Sequence, residues 1–349
     1  MRYTDRRRRW MELAPYLVSL LLSIVGAEVA SRAFWSMRYH VPFAHPDRIL
    51  YAFYPELERI DRKNPRPDDG FYDILLLGGS ALHRDYGEVE QALQEQLAYA
   101  GHRNVRVYNL ADRAHTSRDS RLKYAAVGDA RFDLVLVYDG INEARANNAP
   151  PEIYRDDYAH YAWYEVVNTL APYHRSAQFA LPYTLRYLQV GLRHAVAPDR
   201  YAPTEAPRPE WRQYGRNYRS VMSLEHNLNI VLRIAARHGD RVMLMTYATY
   251  VPDDYTPEAF QEKRLAYGLH LIPIELWGRR EDVMGAVAAQ NAVVRGLAER
   301  HRDVLFVDQA TLMAGSPLYF NDACHLTVAG SSKFVENLLP HLLPLLPRR

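Results

Sequence analysis

Five short apolar runs, set apart by stretches of helical period, constrain the fold of this chain most. They cover residues 72–77, 105–110, 134–138, 241–246 and 304–307. They are nearly continuous in apolar residues rather than alternating, the pattern of strands buried on both faces. Between and after them the spacing predicts helices over 87–100, 117–128, 218–238, 282–300 and 327–343. In the first of these, Val89, Leu93, Leu97 and Ala100 recur at helical intervals. Gly239 ends the third. Alternating strand and helix predicts an α/β fold, a flavodoxin-like three-layer α/β/α sandwich around a mainly parallel five-stranded sheet.

The first forty residues follow a different rule. Arg6 to Arg9 form a basic block, and Leu13 to Ala27 carry no charge, with Glu12 and Glu28 at either side. Fifteen residues span about 23 Å as a helix, short of the ~30 Å hydrocarbon core. With Trp10, Met11 and the flank from Val29 to Trp35 included, and the charged side chains snorkelling, the segment just crosses. Residues 1–36 are therefore expected to be an uncleaved membrane anchor, with the basic block on the cytoplasmic side and the remainder exported. Cleavage after Val25-Gly26-Ala27 and a buried N-terminal helix are the alternatives.

Residues 37–70 are rich in proline and charge and are expected to be a linker and lead-in. The domain proper is then 71–349. It is interrupted at about 144–217 by a segment with many tyrosines, among them Tyr154, Tyr158, Tyr161 and Tyr164, and with Trp163, Phe179 and Trp211. A connection of that length usually carries function or structure of its own. It leaves from the carboxyl end of the third strand, the ligand side of such sheets, and is expected to form a partly helical cap. Its rings serve either as a platform for a sugar or as packing. A shorter insert lies at 250–276.

Composition removes some functions. A net charge of +2 argues against a nucleic-acid partner held by charge, and only four of the 43 basic residues are lysine. A single cysteine, Cys324, excludes an intrachain disulfide and a cysteine zinc cluster. It is expected to be a small buried residue rather than a nucleophile.

What remains is a set of side chains at strand exits. DILLLGGSALHRD ends its apolar run on Gly78, Gly79 and Ser80. FDLVLVYDGINEA ends on Gly140 and Asn142. FNDACHLTVAG places Asp322 and His325 three apart, just before a helix. A serine hydroxyl becomes a nucleophile when a histidine takes its proton and a carboxylate holds the imidazole in the useful tautomer. The developing oxyanion needs preorganised donors. Nucleophile first, donor second, base and acid last is an order that fits a serine esterase. His83 and His115 have weaker claims and are expected at the surface. Asp139 and Glu143 lack His or Cys partners at a ligand spacing, so no metal and no cofactor is expected.

These segments resemble the conserved blocks of the SGNH (GDSL-like) hydrolase superfamily, in particular its exported bacterial members with an N-terminal membrane segment. LLLGGSALHRDYG is similar to the first block, with Gly-Gly-Ser where Gly-Asp-Ser is usual. The resemblance implies that Ser80 is nucleophile and that its amide donates to the oxyanion, with Gly79 in support. VYNLADRAHTS is similar to the second block and puts Ala111 at the glycine donor position. DGINEA resembles the third, with Gly140 in support, Asn142 as donor and Glu143 in place of Asp. FNDACHLTVAG resembles the fifth and completes a Ser80, Asp322 and His325 triad.

The function so implied is hydrolysis of acyl esters through an acyl-enzyme on Ser80. The expected substrate is an acylated envelope carbohydrate or a small ester. The expected location is the bacterial inner membrane, held by one helix, with the catalytic domain in the periplasm or outside the cell. Two alternatives stand beside it: an O-acyltransferase using the same triad on an exopolysaccharide, and an inactive carbohydrate-binding relative.

Overall fold

The computed structural model describes residues 2–66, 69–203 and 205–347. The chain divides into two compact units. One comprises Met1–Pro55 and Glu165–Pro198, the other Glu56–Tyr164 and Asp199–Arg349.

The larger unit holds a five-stranded sheet: β1 (Tyr72–Gly78), β2 (Val105–Asn109), β3 (Leu134–Tyr138), β4 (Arg241–Met245) and β5 (Leu305–Val307). Its order is β2-β1-β3-β4-β5 and every neighbouring pair is parallel. All residues of β1 and β3 are buried, as expected for central strands covered by helices on both faces. The predicted helices are all present, as Val89–Tyr99, Ser117–Ala126, Ser220–His238, Arg280–Arg300 and Val328–Leu342. Gly239 adopts a left-handed conformation after the third, which glycine reaches without a steric cost.

The order of this sheet decides where a site forms. The chain passes from β1 to β2 on one side and reaches β3 on the other, so the carboxyl ends of β1 and β3 form the switch point at which such sheets bind ligands. The last register pair between them is Gly78 with Tyr138. Gly79 and Ser80 therefore leave the sheet beside Asp139 and Gly140. Two caps stiffen the neighbouring helices. Thr116 and Asp119 form a reciprocal capping box on Ser117–Ala126, and the Thr327 hydroxyl accepts from the Gly330 amide at 2.9 Å ahead of Val328–Leu342.

The segment 144–217 is divided between the units. Its part in the larger unit buries Tyr154, Tyr158, Tyr161, Tyr164, Tyr201 and Trp211. Of the two uses open to these rings, they serve packing. The Tyr164 hydroxyl donates to Asp119, and Tyr158 packs against Tyr164 and His160.

In the smaller unit the helix Arg2–Tyr39 runs unbroken through the Val25-Gly26-Ala27 stretch. Its section Glu12–Tyr39 has 28 residues and is long and apolar enough to cross a membrane. At 1.5 Å per residue that is about 42 Å, more than the hydrocarbon core requires. Leu17, Leu20, Leu21 and Leu22 are all more than half exposed, so this is not a buried core helix. Its distal end is fastened to a second helix, Leu181–Val196. The Glu28 carboxylate accepts from the Ala180 and Leu181 amides at 2.9–3.0 Å, supplying the acceptors that the first turn of a helix lacks. Trp35 Nε1 donates to Thr184 Oγ1 at 2.9 Å.

Candidate active site

β1 delivers Ser80 to this switch point. The turn out of the strand is tight, and Ser80 opens a single 3-10 turn, Ser80–Leu82. A side chain at Gly79 would meet Asn142 Nδ2 at 2.8 Å and the His115 carbonyl at 3.0 Å, so the position requires glycine. Gly140 is restricted likewise, since a Cβ there would lie 2.4 Å from the Tyr247 ring.

His325 arrives from the loop before Val328–Leu342, tied down by a Phe320–Leu326 bridge. Its Nε2 lies 2.8 Å from Ser80 Oγ, and its Nδ1 lies 2.7 Å from Asp322 Oδ2. An ionised carboxylate only accepts, so Nδ1 carries the proton and Nε2 presents a lone pair to the serine hydroxyl. Asp322 is itself held by three amides. Oδ1 accepts from Cys324 and His325 at 2.9 Å each, and Oδ2 accepts from Ile272 at 3.0 Å. Asp322 and His325 are both fully buried, and Ser80 is 6% exposed. Ser80, His325 and Asp322 are thus in line, an arrangement that could serve as nucleophile, base and orienting acid in acyl transfer.

Cys324 lies between Asp322 and His325 in sequence but is not a competing nucleophile. Burial holds its thiol well above the usual range, and the Asp322 charge adds to this.

Asn142 is the second residue of the short helix Ile141–Ala146 after β3. Its Nδ2 donates to the His115 carbonyl at 2.8 Å, and its Oδ1 accepts from Trp277 Nε1 at 3.0 Å. A Cβ at Gly79 would meet the same amide at 2.8 Å, so Asn142 packs against the residue that precedes Ser80.

The remaining expected donor is placed otherwise. The Ala111 amide donates to the Asn109 side-chain oxygen at 2.9 Å, which engages the proton the oxyanion would need. In the 111–115 segment the left-handed backbone occurs at Ala114, with φ 58°. That is a conformation glycine adopts freely and alanine only at a cost, so the glycine-like position of this loop is Ala114 rather than Ala111.

His115, expected at the surface, is buried. Lys123 Nζ reaches its Nδ1 at 2.8 Å, the Glu56 carboxylate at 3.1 Å and also the Leu110 carbonyl. Burial, reinforced by the Lys123 charge, lowers the His115 pKa. The buried lysine thus ties both ends of the loop that presents the His115 carbonyl to Asn142. His83 is partly exposed. It approaches Asp112 at 3.5 Å, while Arg113 pairs with Asp85.

Asp139 and Glu143 form a buried acidic pair behind Asn142. Burial raises Asp139 to about 7, against a Ser120 hydrogen bond that lowers it. Burial and the charge of Asp139 raise Glu143 well above the carboxylate range. The folded chain therefore holds a proton on Asp139 up to about pH 7, where an unfolded aspartate has lost it. Stability is highest at low pH in this respect and falls as pH climbs from about 4 to 7. Asp139→Asn, which imitates the protonated form, is expected to stabilise the protein more at pH 8 than at pH 5, by about 2–3 kcal/mol. Thermal melts at the two pH values check this, and an equal gain at both would dismiss it.

No family model matches the sequence, and no curated protein does. Solved structures do match. A GDSL-like lipase from Bacteroides thetaiotaomicron covers 84% of this chain and 100% of its own, at 12% identity and a TM-score of 0.47. A lipase/acylhydrolase from Enterococcus faecalis covers 80% and 99%, at 12% identity and 0.44. An acetylxylan esterase from Geobacillus stearothermophilus covers 80% and 97%, at 15% identity and 0.41. At these identities the likeness is one of fold.

Several residues of this site had no signal in the sequence. Tyr86 stacks on the His325 ring with centroids 4.5 Å apart. Ile272 and Trp277 come from the 250–276 insert and its end. Nothing local distinguishes them, because their partners lie 50 and 135 residues away.

Proposed function

We propose that this protein is a serine ester hydrolase that removes O-acyl groups from an envelope carbohydrate, working through an acyl-enzyme on Ser80. The observation that carries this reading is the continuous relay from Ser80 Oγ to His325 at 2.8 Å and from His325 to Asp322 at 2.7 Å. His325 Nε2 takes the hydroxyl proton as Ser80 Oγ attacks the ester carbonyl. The Ser80 amide and the Asn142 side chain hold the oxyanion. The alcohol leaves with the proton from His325, and water then frees the acid by the same route.

The rim favours a hydrophilic alcohol over a lipid. His83, Asp85, Asp112 and Arg113 form a run of polar contacts close to Ser80 in the chain, with Arg113 paired to Asp85, and such a surface gains little from a long alkyl chain. The N-terminal helix supports a place at a membrane, and the preceding Arg6 to Arg9 block supports a cytoplasmic N-terminus. In this reading the helix anchors the protein in a bacterial inner membrane and the catalytic unit works in the periplasm.

The test is acyl release from p-nitrophenyl acetate and from an acetylated polysaccharide, with and without a sugar acceptor. Turnover of both esters to free acetate is expected, at a rate indifferent to the acceptor. Acetate appearing on the sugar, with little free acid, would replace the hydrolase by an O-acyltransferase. No turnover of either ester would leave a carbohydrate-binding role.

A further inference from the structure

We propose that Trp277 is a positioning residue that locks the Asn142 amide in the one orientation able to stabilise the oxyanion. This rests on the oxyanion role given to Asn142 above. A side-chain amide has two nearly isosteric ends, one donating and one accepting, and a half-turn about its last torsion exchanges them. In the exchanged state it would present an oxygen to the negative charge developing on the substrate.

Two partners of opposite kind prevent that. Trp277 Nε1 only donates, and it meets Asn142 Oδ1 at 3.0 Å. The His115 carbonyl only accepts, and it meets Asn142 Nδ2 at 2.8 Å. With Oδ1 and one N–H engaged, a single N–H remains for substrate.

Trp277 is itself rigid. It is 1% exposed. Its amide donates to the Ile274 carbonyl at 2.9 Å, and its carbonyl accepts from Asn148 Nδ2 at 2.7 Å. The indole also lies 6.3 Å from the His325 ring, centroid to centroid, too far to share in the proton transfer. Its effect on the reaction therefore passes through Asn142.

The experiment is a double-mutant cycle on the full-length chain, read as kcat and KM for p-nitrophenyl acetate. Asn142→Ala is expected to lower kcat roughly 10²–10³-fold, the weight of one oxyanion donor. Trp277→Phe is expected to lower kcat by about tenfold with KM nearly unchanged, because the interaction it supports appears only as charge develops. In the Asn142→Ala background the same substitution should cost kcat nothing further. Replacing Trp277 by the isostere 3-benzothienylalanine, which swaps the N–H for sulfur, tests the hydrogen bond without emptying the core, and it should reproduce the tenfold loss. Wild-type kcat in that protein would overturn the proposal. So would an equal Trp277→Phe loss with and without Asn142. Full kcat in Asn142→Ala would fail earlier, by removing the oxyanion role on which the proposal stands.

Discussion

Ser80→Ala is expected to lower kcat for ester hydrolysis on the order of 10⁶-fold, the scale found when the nucleophile of a serine triad is removed. In the proposed reaction the Ser80 hydroxyl supplies the atom that bonds to the acyl carbon, and Cys324 cannot take its place. Cys324 is buried, with its thiol held protonated. The same substitution should leave the fold nearly untouched. Ser80 heads one 3-10 turn, and its hydroxyl bonds to His325. A melting temperature within a few degrees of the parent, with hydrolysis at background, is therefore the expected pair of results. Retention of more than a few per cent of the parent rate would rule out Ser80 as nucleophile.

Asp322→Asn should be the next most damaging change, with kcat falling about 10⁴-fold. Both carboxylate oxygens of Asp322 face donors only: the amides of Cys324, His325 and Ile272, and His325 Nδ1. An asparagine must turn its NH₂ toward one set or the other. With NH₂ toward Oδ1's partners, it confronts two backbone N–H groups that cannot move. With NH₂ toward His325, it drives the imidazole proton to Nε2. Nε2 then has no lone pair to receive the serine proton. The structural loss should be smaller than the catalytic one, so kcat measured on correctly folded protein is the decisive readout. A folded variant within tenfold of the parent kcat would remove Asp322 from the role of orienting acid.

The sequence by itself determined the sheet and the places where chemistry sits on it. Apolar runs of four to six residues are too short for helices and suit strands covered on both faces, so five of them separated by helical period imply a parallel α/β sandwich. Ser80, Asn142 and the Asp322–His325 pair were legible because each lies within a few residues of a strand or helix end, where chain position and spatial position nearly coincide. The uncharged run after Arg6 to Arg9 was legible for a similar reason, since length and apolarity are local properties. The helix runs three residues past the expected end at 36, to Tyr39, and its fastening through Glu28 to the Leu181–Val196 helix was not legible, because the partner lies some 150 residues away.

Only the tertiary structure decided which protons are free. Whether an amide points at substrate depends on backbone dihedrals and on what else competes for it. Hence Ala111 is engaged by Asn109, while the left-handed turn falls at Ala114. It also decided what braces the site. The amide of Ile272, the indole of Trp277 and the ring of Tyr86 converge on the catalytic groups from segments with no periodic or motif signal of their own. The tyrosines of the 144–164 stretch illustrate the same limit. An aromatic ring suits a sugar and a core equally well by composition, and the packing of Tyr158 and Tyr164 against their neighbours is a property of the folded chain alone.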